Sequence, residues 1–342
     1  MRRTLALAAR GRAVSPNPMV GCVLVKGGRV IASDFHRRAG GPHAESRVLA
    51  RAGARARGAT AYVNLEPCAP YRGKRTPSCA EALARAGVRR VVAAMPDPNP
   101  AVRGRGFALL RRAGVRVSSG LLSAEARALN RPFEVYAREG RPWVTLKAAA
   151  TLDGRMSDGA GRSRWITSAP ARALSRRWRG EHDAVLVGSG TVLADDPRLS
   201  APGGRTLKVV LDGRGRVSPR ARLFKTPGPV LLVSARRPRT LPRGAECLTL
   251  ADRSPRSLLR ALAKRGVGRL FVEGGSAVHS AFLDAGLVDE VRLFLAPRLV
   301  GGRAAPTFYE GRGRTLPRAL TLETPAVRRV GTDLLVSGLV KR

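Results

Sequence analysis

The hydrophobic pattern of the chain changes period many times. Residues 20–25 form a short apolar run, Gly27-Gly28 a turn and residues 30–32 the returning strand. Apolar positions at helical spacing follow over 43–56, stopping near Gly58. The alternation continues as a strand at 61–65, a helix at 79–86 ended by Gly87, a strand at 90–94, a helix at 107–113 and a strand at 115–117. Leu5, Ala8 and Ala9 share one helical face, so the amino-terminal segment reads as a first core helix rather than a leader. Strands alternating with helices predict an α/β domain. The basic, Gly- and Pro-containing stretch Arg138-Glu139-Gly140-Arg141-Pro142 marks a boundary, giving domains of 1–140 and 141–342. The second domain restarts with strands at 143–149, 184–187, 207–211, 230–234, 270–273 and 291–296, and helices at 169–178, 257–264 and 276–283. Residues 334–339 read as a last edge strand.

Length agrees with two domains: 342 residues are enough for two cores. No apolar run reaches the roughly 18 residues of a membrane span, so no membrane partner is expected. The four scattered cysteines suit a reducing compartment, and the cytoplasm is the expected location. Charge is the anomaly. Lys plus Arg total 63 against 24 Asp plus Glu, a net +39. Arg dominates, no block of five like charges occurs and aromatic residues are only 4%, so the excess reads as diffuse and no nucleic-acid partner is expected.

Candidate chemistry concentrates first at His43-Ala44-Glu45, Glu66-Pro67-Cys68 and Cys79. One His and two Cys make a three-ligand set for Zn²⁺ with a position left for water. A carboxylate two residues after the His can move a proton without ligating the metal. This order, H-x-E then P-C then a second Cys, is the pattern of zinc nucleobase deaminases. In the second domain no G-x-G-x-x-G opens a helix, which argues against a Rossmann site. Glu273-Gly274-Gly275-Ser276 instead leads from an apolar strand into a helix, where backbone N–H groups can meet a phosphate. His36 reads as an exposed loop residue, His182 as a surface one, and Trp143, Trp178 and Phe294 as core.

These motifs carry a resemblance. Ser15-Pro16-Asn17-Pro18-Met19-Val20-Gly21-Cys22, Gly41-Pro42-His43-Ala44-Glu45, Glu66-Pro67-Cys68, Arg75-Thr76-Pro77-Ser78-Cys79 and Asp97-Pro98-Asn99-Pro100 resemble the deaminase half of the bifunctional riboflavin-biosynthesis deaminase/reductases. Lys147 through Arg155, Ser163 through Ser168 and Asp183 through Pro197 resemble the reductase half. The resemblance implies a cytidine-deaminase-like domain followed by a dihydrofolate-reductase-like domain, with Zn²⁺ and NADPH as cofactors and a pyrimidine ribotide as the small-molecule substrate. It implies a homo-oligomer. His43, Cys68 and Cys79 would ligate zinc, Glu45 would be the catalytic proton shuttle and Asn17 would hold the pyrimidine. Ala150, Trp165, Thr191, Asp195 and the turn and helix Gly275, Ser276, Ala277, Val278, His279, Ser280 and Ala281 would lie against NADPH. Lys147, Ser163, Arg179, Leu199 and Glu273 would face the ribotide. Two places depart from the family. Pro70 stands where His is usual, in a longer loop that offers Arg72, Lys74 and Arg75 for phosphate. Ala201-Pro202 replaces an Arg usual after Leu199. Cytidine, tRNA-adenosine and polynucleotide deaminases share the zinc pattern but use P-C-x-x-C, against ten residues between Cys68 and Cys79 here.

Overall fold

The computed structural model describes residues 1–70, 77–236 and 240–341. They divide into two compact units, Met1–Arg141 and Pro142–Arg342.

The first unit runs α1 (Arg2–Ala8), β1 (Gly21–Lys26), β2 (Arg29–Phe35), α2 (Ala44–Ala52), β3 (Thr60–Val63), α3 (Cys79–Arg85), β4 (Arg90–Ala93), α4 (Arg105–Arg112), β5 (Arg116–Ser119) and α5 (Ser123–Glu139). Its sheet has the order β2-β1-β3-β4-β5. The β1–β2 hairpin and the β1–β3 pair are antiparallel, while β3, β4 and β5 are parallel. Cys22, Leu24, Ala61, Val63, Val91 and Ala93 bury one face of this sheet against Val48, Leu83, Phe107 and Leu110 of the helices. At roughly 25 cal/mol per Å² of apolar surface, each of the larger side chains (Val, Leu and Phe) contributes on the order of 2 kcal/mol before entropy is set against it. Parallel β3 and β4 need helical crossovers, and these return α3 and α4 to the start of the next strand.

The second unit contains β6 (Trp143–Thr151), α6 (Ala169–Gly180), β7 (Ala184–Gly188), α7 (Ser189–Asp195), β8 (Leu207–Leu211), β9 (Val230–Ser234), β10 (Ala245–Thr249), α8 (Pro255–Lys264), β11 (Arg269–Gly274), α9 (Ser276–Asp284), β12 (Glu290–Ala296), β13 (Leu322–Val330) and β14 (Asp333–Val340). Its strand order is β10-β9-β8-β7-β11-β6-β12-β14-β13. The run from β10 to β12 is parallel, and the last two strands are antiparallel. Both faces are covered, as a parallel sheet requires. Val144, Leu146, Leu186 and Val272 pack with Leu259, Leu262 and Phe282, while Val185, Val210 and Phe271 pack with Leu174 and Trp178. Asp183 and Asp289 stitch the strand starts, accepting from Gly268 and Arg269 N–H and from Val144 N–H at 2.8 Å.

Two α/β units are the expected architecture, with corrections in detail. Residues 334–339 belong to β14, which is an inner strand, because β13 lies outside it. Trp143 is half-buried, whereas Trp178 and Phe294 are core and stack at 5.4 Å. His36 and His182 are buried rather than exposed. Each completes a polar contact inside the core: His36 Nδ1 lies 3.0 Å from the Pro42 carbonyl, and His182 Nδ1 lies 2.7 Å from the Trp178 carbonyl with Nε2 3.1 Å from Thr145 Oγ1.

The buried histidines of the second unit give it an acid-sensitive window. Burial pushes His182 and His279 down to about 4. An unfolded chain takes up these protons as pH falls below about 6.5, so their share of stability is intact above that pH and is lost progressively down to about 4. Urea unfolding of the second unit is expected to lose a few kcal/mol between pH 7 and pH 4.5, with His182→Gln flattening the slope. An unchanged slope in that variant counts against the assignment.

Candidate functional site

The first unit gathers its chemistry at the carboxyl end of β3. His43 caps the start of α2, Cys79 opens α3 and Cys68 follows β3. His43 Nδ1 lies 3.5 Å from Cys68 Sγ and 3.3 Å from Cys79 Sγ, and the three ligand atoms all lie within 4.8 Å of one another. The Cys79 contact, followed by His43, pulls the Cys68 thiol down to about 4 against its burial. Thiolates at helix starts are stabilised by the positive dipole end. Glu45, in the first turn of α2, is buried, and its Oε2 has no hydrogen-bond partner. Burial, then the nearby Cys68 charge, raises its pKa. Two cysteine sulfurs and an imidazole converging beside an unpartnered carboxylate oxygen fit a zinc ion that keeps one coordination position open.

Residues outside the expected set hold this cluster in place. Glu66 is buried and accepts the N–H groups of Asp97 (3.1 Å), Gly104 (2.9 Å) and Phe107 (3.1 Å), pinning the β4–α4 loop and the start of α4 to the strand end before Cys68. A Cβ on Gly106 would stand 1.9 Å from the Pro67 carbonyl, so only glycine lets α4 approach. Ser78 caps α3 by accepting the Glu81 N–H at 3.2 Å and donates to the Cys68 carbonyl at 3.0 Å. Asn17 sits half-buried in the 15–20 loop. That loop is clasped through its backbone: Met19 N–H donates to Asn130 Oδ1 at 2.8 Å, while its carbonyl accepts from Asn64 Nδ2 at 2.9 Å and Asn130 Nδ2 at 3.0 Å. The neighbouring Gly21 N–H donates to Asn64 Oδ1 at 2.8 Å. The ring of His36 meets His43 edge-on at 5.3 Å. Pro70 is exposed. Arg72, Lys74 and Arg75 lie outside the described residues. Asp97 was legible only as part of the Asp-Pro-Asn-Pro run; burial raises it to about 7.

In the second unit the register of β6 and β11 decides which side chains meet. Val272 pairs with Leu146, so Glu273 and Lys147 come next, side by side on one face. Arg179 of α6 reaches over and binds Glu273 through Nε and Nη2, both at 2.7 Å, while its Nη1 donates to the Ser200 carbonyl at 3.2 Å. The Arg179 charge lowers the Glu273 pKa despite burial. Burial lowers Lys147, with Glu273 opposing. Next to this triad the chain turns through Gly274 and Gly275, both at positive φ, into α9, which has no side-chain cap. A Cβ on Gly275 would meet Thr191 Oγ1 at 3.1 Å, so a glycine here lets the turn and α7 approach closely. Ser163 donates to Asp195 at 2.6 Å. Trp165 is 58% exposed beneath the Arg172 guanidinium at 4.3 Å, and its carbonyl accepts from Arg298 at 3.0 Å.

Some of the expected contact residues are buried. Ala150 and His279 are 0% exposed, and Leu199 is a core side chain on a left-handed backbone. No sequence signal marked Asn64, Asn130 or Glu66 as loop anchors, although Glu66 precedes the Pro-Cys pair.

Comparison with known proteins follows this geometry. Residues 1–95 match the family model for the cytidine and deoxycytidylate deaminase zinc-binding region, and residues 142–336 match the RibD C-terminal domain. The chain is 42% identical over 325 residues to the riboflavin biosynthesis protein RibD of Haemophilus influenzae, covering 89% of this chain and 87% of that one. It is 39% identical to that of Escherichia coli, over 98% and 96%. Among solved structures it is similar to Acinetobacter baumannii RibD, with a TM-score of 0.90, 37% identity and coverage of 100% and 98%. It is also similar to a Thermotoga maritima diaminohydroxyphosphoribosylaminopyrimidine deaminase/5-amino-6-(5-phosphoribosylamino)uracil reductase, with a TM-score of 0.88, 36% identity and coverage of 100% and 97%. With both halves matched and relatives aligned along nearly their full length, the chain belongs to the RibD family of bifunctional riboflavin-biosynthesis deaminase/reductases.

Proposed function

We propose that the chain catalyses two consecutive steps on a pyrimidine ribotide. The first unit deaminates a diaminopyrimidinone ribotide, and the second reduces its ribosyl group to ribityl. The observation that carries the first step is the buried Glu45 carboxylate, with an unpartnered oxygen, beside the converged His43, Cys68 and Cys79. Zinc, when bound by these three residues, supplies Lewis-acid activation of water. Glu45, whose proton affinity is raised by burial, takes a proton at Oε2 and delivers it to the departing amine. Asn17, on its clasped loop, orients the ring. Ala150, Trp165, Thr191, Asp195 and the Gly275–Ala281 turn and helix would hold NADPH, which when bound would supply the hydride of the second step. Arg179 keeps Glu273 ionised, so that Glu273 and Lys147 present one acceptor and one donor to the sugar, with Ser163 and the Leu199 main chain beside them. The protein orients sugar and cofactor; the redox chemistry is the cofactor's.

No helix among the described residues is long and apolar enough to cross a membrane, and none of the four cysteines is disulfide-bonded. A cytoplasmic homo-oligomer belongs to the same reading. The edge strand β13 is exposed along nearly all its length, with Val327 63% exposed, and such edges are commonly covered.

Mass analysis of products is the direct test. Incubation without NADPH is expected to add about one mass unit, the exchange of an amine for an oxygen, and addition of NADPH about two more, a hydride and a proton. No gain in a zinc-replete sample rejects the first step. Glu45→Gln is expected to lose about 10²–10⁴-fold in deamination while retaining zinc and reducing the already deaminated ribotide normally. Arg179→Leu strips buried Glu273 of its two-bond guanidinium partner and leaves only Lys147 beside it, so reduction should collapse and the second unit lose about 3–5 kcal/mol, with deamination preserved.

A further inference from the structure

The sequence shows no long run of like charge, but the fold builds one. Strands β3, β4 and β5 are parallel and β1 is antiparallel to β3, so the β1–β2 turn and the segments entering β3, β4 and β5 all emerge at one end of the sheet. Each brings two exposed cations. The β1–β2 turn brings Lys26 and Arg29, and the segment before β3 brings Arg55 and Arg57. The start of β4 brings Arg89 and Arg90, and the end of α4 with the start of β5 brings Arg112 and Arg116.

The segments are bonded to one another. Gly58 N–H donates to the Gly87 carbonyl at 2.8 Å, Arg89 N–H to Ala59 at 2.9 Å and Arg116 N–H to Arg89 at 3.1 Å, while Arg90 and Arg116 are register partners on adjacent strands. The four segments contain no Asp or Glu, and none of these cations forms an ion pair among the described residues. With neighbouring strands about 4.8 Å apart, the five-stranded edge makes a basic ridge roughly 20 Å long. Helix dipoles explain cations at helix carboxyl ends, such as Arg85 and Arg112. They do not explain Lys26, Arg29, Arg89, Arg90 or Arg116, which sit at strand ends.

We infer that this ridge binds the phosphodiester backbone of duplex RNA. A line of guanidinium forks without acids suits repeated phosphates rather than one small anion. None of the four segments contains a Phe, Tyr or Trp, so bases have no platform for stacking and single strands are disfavoured. Helices α3 and α4 present carboxyl termini here, so no helix amino end is offered to a DNA major groove. A-form RNA is the duplex read mainly through its backbone. The zinc cluster lies at the opposite end of β3, so RNA on the ridge leaves it open. The sequence alone predicts no nucleic-acid partner, because no block of like charge and few aromatics occur along the chain; the ridge is a cluster that the sheet assembles from separate segments.

The test is fluorescence anisotropy of a labelled mixed-sequence RNA duplex with the full chain. Arg89→Gln, Arg90→Gln, Arg112→Gln and Arg116→Gln together should weaken binding about a hundredfold at moderate salt and lower the slope of log affinity against log salt by about 3. A control with the same charge loss in the second unit (Arg220, Arg253, Arg260 and Lys264 to Gln) should change affinity less than about threefold. Arginine-specific dicarbonyl footprinting of the wild-type chain gives an answer independent of the variant's folding: RNA should protect Arg89, Arg90 and Arg116. The inference is overturned if the control loses as much as the ridge variant, if protection falls elsewhere, or if anionic lipid vesicles bind and the duplex does not.

Discussion

The first unit depends on one buried carboxylate satisfying three backbone donors. Glu66 forms no ion pair among the described residues; its two carboxylate oxygens instead accept the N–H groups of Asp97, Gly104 and Phe107. Backbone donors cannot rotate away, so the carboxylate fixes the loop after β4 and the first turn of α4 in a single position. That position sets Pro67 against Gly106, and Pro67 sets Cys68. Losing the acceptor would strand three buried donors, each worth about 1–3 kcal/mol. The position of Cys68 is therefore set by main-chain donors bonded to a side chain two residues before it.

The second unit uses a side-chain version of the same device. Register places Glu273 beside Lys147, and neither charge could be held there alone. The Arg179 fork arrives from α6 with two parallel bonds, a geometry that guanidinium supplies and ammonium does not. An ionised carboxylate and a cation thus stand together beside a glycine turn at the start of α9.

The alternation of strands and helices was legible because apolar residues carry it directly. The motif residues were legible because zinc ligation demands particular atoms in a particular order. What escaped did so for identifiable reasons. Helix α5 opens after Leu122 in a left-handed conformation, lacks a side-chain cap and contains Pro132, so no start signal announces it. Strand β13 carries Pro325, Arg328 and Arg329 and is exposed on both faces, so it shows no alternation. His36 and His182 were misplaced because a buried imidazole with a carbonyl partner looks, in sequence, like any solvent-facing one. The basic ridge was hidden because its charges are divided among four connections that only the sheet brings together.

The clasp on the 15–20 loop has a consequence for how such a site can change. Asn64 and Asn130 grip the N–H and carbonyl of Met19, and Asn64 also takes the Gly21 N–H; no side chain of the loop is involved in these bonds. Position and chemical identity are thereby uncoupled. A substitution at residue 17 alters what the loop offers a ligand without altering where the loop stands, because its anchor is indifferent to sequence. A fold so arranged can explore new ring substituents one residue at a time, with the scaffold's tolerance set by two distant amides rather than by the recognition surface itself.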